Sequence, residues 1–189
     1  MAAAAGEDPL KFRVRHMAAD ELSRHILETV AKAAGWDKPA AKGVFRGIAT
    51  TEPYDSFTAA VVELSVNAAG VITIHRIVQA INPGHVVNPD NVRAQLEGAT
   101  VWALTAAMWG EIGIEQGRVK QANFHDYRVL RLKEMPKVDV VLAPTGGFWG
   151  GVGEPGQAPL IPALCNALFA ATGKRLRSLP LQQHGFTLA

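Results

Sequence analysis

The sequence predicts an α+β fold in which a long β-hairpin lies in a mixed sheet packed by helices. Three observations carry this expectation. Residues 58–66 and 71–80 are rich in Val, Ile and Thr and are separated by Asn67-Ala68-Ala69-Gly70, the pattern of two strands joined by a turn. Residues 20–34 and 91–110 carry apolar side chains at helical spacing. A strand-like run, 138–142, then leads through a glycine-rich stretch into an apolar helix-like run at 161–172. Helices with extensive apolar faces must cover a sheet, so those from Asn91 and from Ile161 are expected to pack on the hairpin.

At 189 residues the chain is long enough for one core, or for one domain with an appendage. Charged residues make up only 19 % and the mean hydropathy is +0.08, which points to a large apolar partner interface. The net charge of +2 is scattered, with its densest cluster at Lys174-Arg175-Leu176-Arg177, too small for a nucleic-acid footprint. The one cysteine, Cys165, falls in an apolar helix-like run and reads as a core residue. Residues 1–6 lack the basic start and apolar centre of an export signal, so a cytoplasmic location is expected. The longest uncharged run, 155–173, is interrupted by Pro159, Pro162 and Asn166 and reads as a buried helix, not a membrane span.

In chain order, the first helix spans 20–34, with Asp20 as its cap, Leu22, Ile26, Leu27, Val30, Ala31 and Ala34 on one side, and Gly35 as its stop. Residues 36–47 combine Pro39, Gly43 and Gly47 with lysines and Arg46, the composition of a surface connection. A boundary is placed there, giving an N-terminal helical segment and connection, 1–45, and a main domain, 46–189. On the second hairpin strand, His75 reads as a surface or paired residue. Residues 81–91 form a structured loop in which Asn88 caps the next helix and Pro89 takes its first position. Val92, Leu96, Ala99, Ala103 and Ala106 then recur on one face until Gly110, with Gln95 and Glu97 off that stripe. Gly98 inside the helix costs about 1 kcal/mol relative to Ala, so a close approach by another backbone or a bulky ligand is expected there.

Residues 111–119 alternate weakly around Gly113 and Gly117 as a short hairpin would, and 123–127 read as a tight polar-aromatic turn. His125 and Asp126 invite a catalytic dyad, but no nucleophile motif such as Gly-x-Ser-x-Gly accompanies them. Residues 179–188 read as a terminal extended segment.

Gly146 to Gly156 holds six glycines and one acid, Glu154, between a strand and a helix start. The helix N-terminus favours negative charge, and Pro155 biases Glu154 away from the α region, so the carboxylate sits in a stiffened turn. Two readings stand: an acid that caps the helix, or a fixed base. A nucleotide loop is disfavoured, because no Lys-Ser/Thr follows the glycines and an acid aimed into them would repel phosphate.

Three segments together resemble one family. They are Gln95-Leu96-Glu97-Gly98 after Asn88-Pro89, Asn123-Phe124-His125-Asp126-Tyr127 followed by Arg131, and Gly151-Val152-Gly153-Glu154-Pro155-Gly156. Their order is similar to that in the large (beta) subunits of the xanthine oxidase family of molybdenum hydroxylases, above all those acting on isoquinoline and aldehydes. The ending, 171–180, keeps the same register. The resemblance runs from about Asp8 to the C-terminus and covers only the last part of such a subunit. It implies a molybdopterin-binding C-terminal domain for 46–189. The implied cofactor is molybdopterin cytosine dinucleotide, shared with the missing part of the large subunit, its metal held by the pterin dithiolene and by no protein side chain. Glu154 is implied to be the general base that takes the proton from the attacking, water-derived oxygen. Gln95 is implied to hydrogen-bond the pterin, and Gly98, Gly151, Val152 and Gly153 to line the cofactor. The implied substrates are N-heterocycles or aldehydes.

The implied partners are the remaining large-subunit domain or a split subunit, a small 2Fe–2S subunit and a cytochrome c, with a periplasmic place open to the full complex. The isolated chain is expected to be inactive. Residues 144–150, with Phe148-Trp149, are more aromatic and glycine-rich than the family's pattern. The alternative is a non-catalytic assembly module that keeps the fold and binds partner subunits only.

Overall fold

A computed structural model describes residues 1–19 and 21–189. Its elements are α1 (Pro9–Arg15), α2 (Leu22–Ala34), β1 (Phe45–Thr51), β2 (Phe57–Val66), β3 (Val71–Asn82), α3 (Pro89–Trp109), β4 (Ile114–Glu115), β5 (Arg118–Val119), β6 (Lys137–Leu142), α4 (Gln157–Thr172) and β7 (Thr187–Leu188). The main sheet runs β1-β2-β3-β6, and β7 also pairs with β3. Strands β1, β2 and β3 are antiparallel neighbours, whereas β6 and β7 run parallel to β3, so the sheet is mixed. The α+β expectation holds, with the hairpin β2–β3 at its centre.

Three layers result. On one face α2 buries Ile26, Leu27 and Val30 against Ile48, Ala59, Val61, Val78 and Ala80. On the other, α3 and α4 bury Ala103, Leu104, Met108, Leu160, Ala163 and Leu164 against Ala60, Val62, Leu64 and Ile77. Successive residues of a strand face opposite ways, so covering both faces makes 59–62 an unbroken Ala-Ala-Val-Val run instead of an apolar–polar alternation. The hairpin turn is tied by Asn67, whose side-chain oxygen accepts from the Ala69 and Val71 amides. His75 is exposed and lies 2.9 Å from the Ser65 hydroxyl, the paired surface residue expected. Cys165 is half-buried against the α3–α4 core, and burial raises its thiol pKa.

Several local expectations are corrected. The connection expected over 36–47 ends earlier, because Phe45 opens β1, which pairs along its whole length with β2. Helix α1 was not anticipated, although Asp8 caps it by accepting from the Leu10 and Lys11 amides and Pro9 occupies its first turn. Helix α2 ends at Gly35 as expected, while the proposed cap Asp20 lies outside the described residues. The α3 stripe does not stop at Ala106, which is half-buried; burial widens to Leu104, Thr105, Ala107, Met108 and Trp109, because this half packs on both sheet and α4. Helix α4 starts at Gln157, four residues before the apolar run, and accommodates Pro159 near its start and Pro162 in its interior. The C-terminal segment is not extended throughout: Leu181–His184 forms a 3-10 turn before β7. The short hairpin around Gly117 is present as β4–β5. Among the described residues, no helix is long and apolar enough to cross a membrane.

Two contacts set the spacing of the layers. A Cβ on Gly47 would fall on the Ala163 carbonyl and the Ala167 amide, so α4 meets β1 backbone to backbone, and Asn166 Nδ2 donates to Ile48 O at 3.0 Å. Gly47→Ala should therefore force the helix off the sheet and cost about 1–3 kcal/mol, read as a lower urea midpoint at unchanged slope. Between β3 and β6, Arg76 Nε donates to Asp139 Oδ2 at 2.6 Å. That hydrogen bond, with the charges of Arg76 and Lys137, holds the Asp139 carboxyl below its ordinary value against the opposing effect of partial burial. A depressed folded-state pKa means that the stabilisation is complete above the unfolded value near 3.9 and is lost as pH falls through the folded one. With both side chains about 30 % exposed, Asp139→Asn should cost about 0.5–1 kcal/mol at pH 7, and the gap from the parent should close as unfolding is followed down from pH 4.

Candidate functional site

The sheet register decides where the loops meet. Because β3 and β6 are parallel, with Ile81 beside Leu142, the β3–α3 loop and the glycine stretch leave from the same end of the sheet. Phe57 pairs with Asn82, which brings the β1–β2 turn to that end as well. Ligand sites in sheets with parallel strands gather outside the carboxyl ends of those strands, which is this end.

The first half of the glycine stretch is bonded to its two neighbours. The Gly146 amide donates to Gly84 O at 2.8 Å, Gly150 to Pro83 O at 2.9 Å and Gly151 to Tyr54 O at 2.8 Å. Ser56 Oγ donates to the Gly151 carbonyl at 2.6 Å. The buried Asn82 gathers the base of these loops: its Oδ1 accepts from the Gly84 and Thr145 amides, and its Nδ2 donates to Thr145 Oγ1. His85 stacks on Trp149 with ring centroids 4.6 Å apart and accepts from the Gly147 amide through Nε2. Phe148 meets Phe57 edge-on at 5.8 Å. The gripping turn is itself strained, since Tyr54 and Asp55 both take positive φ (55° and 57°) without being glycine. The extra aromatics of 144–150 thus clamp the loop to the fold.

The second half runs along α3. Val152 packs with Ile81, Val92 and Leu96. Gly156 is buried, and a Cβ there would lie 2.6 Å from Leu96 Cδ1, 2.8 Å from Gln79 Oε1 and 3.0 Å from Ala99 Cβ. The turn of α3 carrying Gln95 and Gly98 therefore lies against the loop carrying Gly153 and Glu154. Gln95 and Gly98 are three apart and share a flank of the helix. Gln95, Gly98, Gly151 and Glu154 are exposed and Gly153 half-buried, so the seam faces outward. Among the described residues outside the helix's own backbone, a Cβ at either Gly98 or Gly153 would meet nothing within 4 Å, so the close backbone approach expected at Gly98 is not found there.

Glu154 stands just before α4. The helix's N-cap, Gly156, has no side-chain cap bond, and the Glu154 carboxylate has no hydrogen-bond or ion-pair partner among the described residues. Its carbonyl accepts from Gln157 N at 3.0 Å, which fixes the backbone, while buried Pro155 and Gly156 fix the direction of the chain. Of the two readings of this acid, side-chain capping is absent.

The 123–127 segment serves a different purpose. Asp126 accepts from the Ala122 and Asn123 amides, and those two bonds hold its pKa low. His125 comes within 3.6 Å of Asp126, but both lie on an open surface with the carboxylate already closing the turn. Among the described residues no group of three His, Cys, Asp or Glu could hold a metal ion.

Sequence reasoning gave no role to Gln79. It is fully buried; its Nε2 donates to Leu96 O and Thr100 Oγ1, and its Oε1, without a partner among the described residues, lies beside Gly156. A glutamine in an otherwise apolar strand, Ile77-Val78-Gln79-Ala80-Ile81, is the one signal that marked it.

Residues 1–136 match the family model of the molybdopterin cofactor-binding domain. The chain is 32 % identical over 179 residues to the isoquinoline 1-oxidoreductase subunit beta of Brevundimonas diminuta, covering 93 % of this chain and 23 % of that protein. It is 30 % identical over 163 residues to a membrane-bound aldehyde dehydrogenase (pyrroloquinoline-quinone) of Gluconacetobacter polyoxogenes, covering 83 % of this chain and 21 % of that one. The crystal structure of a Cu,Mo-CO dehydrogenase in its carbon monoxide reduced state superposes with a TM-score of 0.59 at 25 % identity, over 66 % of this chain and 17 % of that one. The chain thus spans less than a quarter of the length of these relatives.

Proposed function

The chain belongs to the molybdopterin cofactor-binding domain family, and on that premise we propose that it forms one wall of the cofactor cradle of a molybdenum hydroxylase and supplies its general base, Glu154. The observation that carries the reading is the seam itself. The loop that carries the exposed Glu154 is seated through Val152 and the buried Gly156 on Leu96 and Ala99, in the helix turn that also carries Gln95 and Gly98, and the carboxylate has no partner among the described residues.

The residues present fit such a group. A flat, hydrogen-bonding cofactor needs amide partners and places where no side chain intervenes, and Gln95 provides the first while Gly98 and Gly153 provide the second. Gln95, Gly98, Gly151, Val152 and Gly153 would hold the cofactor, in the cytosine dinucleotide form. When bound, it would supply a water-derived oxygen and accept the two electrons of the oxidation. Glu154 would accept and hold a proton on its carboxylate, and Gln95 would hydrogen-bond the cofactor. Gln79, by bonding Leu96 O and Thr100 Oγ1, keeps the α3 turn in place behind both.

N-heterocycles and aldehydes are the substrate classes, in keeping with the names of the two relatives. The rest of the cradle would come from the remaining large-subunit domain or a split subunit, and electrons would leave through a small 2Fe–2S subunit towards a cytochrome c. The alternative reading is an assembly module that binds partner subunits without turning over substrate.

In the assembled enzyme, Glu154→Gln should leave folding and molybdenum content nearly intact while turnover per bound molybdenum falls by about 10²–10⁴-fold, with the loss in kcat. Unchanged turnover per molybdenum would sink the catalytic role. Gln95→Ala should lower cofactor occupancy first, measured as molybdenum per protein, and leave the normalised rate much closer to the parent's. Assembly without molybdenum or turnover in the parent complex would decide for the module.

A further inference from the structure

A cavity lies at the other end of α4. It has a volume of about 600 Å³ and is bounded by the N-terminal segment through α1, the start of β1 and the C-terminal half of α4. That volume falls within the range of small-molecule sites. Helix α4 has 16 residues, roughly 24 Å at its ordinary rise, so this cavity is separate from the Glu154 seam.

Its walls combine cations with apolar surface. Phe12, Ile48 and Phe169 contribute apolar and aromatic faces, and Arg13 and Arg175 both reach it. Neither arginine has a carboxylate within 4 Å among the described residues. Arg13 gives one hydrogen bond to Pro9 O at 2.8 Å, and Arg175 gives one to Asn166 Oδ1 at 2.8 Å while lying 3.6 Å over the Phe169 ring. A guanidinium has five N–H donors in a planar fork, so most of this donor capacity is unused within the chain.

The nearby acids are engaged elsewhere. Asp8 caps α1 and accepts from Trp36 Nε1, and Glu7, which lines the cavity, pairs with Arg15 at 2.9 Å. Arg46, also in the lining, donates to the Gly35, Trp36 and Lys38 carbonyls. Burial first, and then the charge of Arg175, push the Arg13 guanidinium below its usual pKa, with Asp8 opposing. Two arginines that line one cavity with apolar walls are both stabilised by an anion placed between them.

We propose that this cavity is a binding site for a small organic monocarboxylate, its carboxylate held by Arg13 and Arg175 and its aromatic or aliphatic body lying against Phe12, Ile48 and Phe169. The apolar walls select an organic body over a bare inorganic ion. The Glu7 carboxylate in the lining disfavours a dianion, which sets the site against phosphate.

The test is calorimetric titration of the 189-residue chain with benzoate, hexanoate and inorganic phosphate, with thermal unfolding as the check of folding. Saturable one-to-one binding of benzoate or hexanoate is expected. Arg13→Met and Arg175→Met should each weaken it by about tenfold or more, the loss of one charge-assisted hydrogen bond. Phe12→Ala should weaken benzoate as well. Because Arg175 is exposed, its variant should fold even if the Arg13 variant does not, and it decides the matter alone. Absence of saturable carboxylate binding, equal binding in Arg175→Met, or phosphate binding as tight as benzoate would each overturn the proposal.

Discussion

The parallel pairing of β3 with β6 is the constraint on which the rest depends. An antiparallel return would have sent the glycine stretch to the opposite end of the sheet from the β3–α3 loop. Parallel pairing instead needs a long crossover, and α3 is part of that crossover, lying on the sheet between the strands it connects. The loops after β3 and β6 are thereby set side by side, and the backbone bonds from Gly146 and Gly150 to Gly84 and Pro83 follow from that adjacency. The Arg76–Asp139 pair supports the same register from the strand faces.

Small residues then let the layers close. Gly47 admits the backbone of α4 to β1, and Gly156 admits the start of α4 to the side chains of Leu96 and Ala99. Both contacts act on α4, one near its middle and one at its N-terminus, so the position of the Glu154 turn is coupled to the packing of the whole helix. The base proposed at Glu154 would need this rigidity, because proton transfer depends on close positioning of the reacting groups. The glycine stretch supplies it in an unexpected way: its first half is fixed by bonds to the Tyr54–Ser56 turn and the His85–Trp149 stack, leaving only the second half open.

The two ends of α4 offer different chemistry. At the N-terminus the Glu154 carboxylate is exposed and has no partner among the described residues, near the exposed Gln95 and Gly98 turn of α3. Beyond the C-terminus Arg175 stands with Arg13 over an apolar cavity. The helix dipole disfavours an acid at its C-terminal end and tolerates the cation there, in line with this arrangement.

Much of the architecture was legible from local pattern. The hairpin β2–β3, the Asn88-Pro89 start of α3, the Gly35 stop and the strand before the glycine stretch are all set by neighbours in sequence, through turn chemistry, capping and side-chain period. The candidate residues Gln95, Gly98 and Glu154 came from motifs whose resemblance is to the family of the molybdopterin cofactor-binding match, a match that spans residues 1–136. Edge strand β1 and helix α1 were not legible, because a seven-residue segment has too few positions to show a period and its pairing partner lies elsewhere in the chain. Gln79 and Asn82 were missed for the same kind of reason: a polar side chain in a strand acquires its meaning only when a helix or loop distant in sequence arrives against it. Which residues share the seam, and which arginines share the cavity, was decided by tertiary structure alone. Both depend on strand register and helix placement, and these are set by packing among residues far apart in the chain.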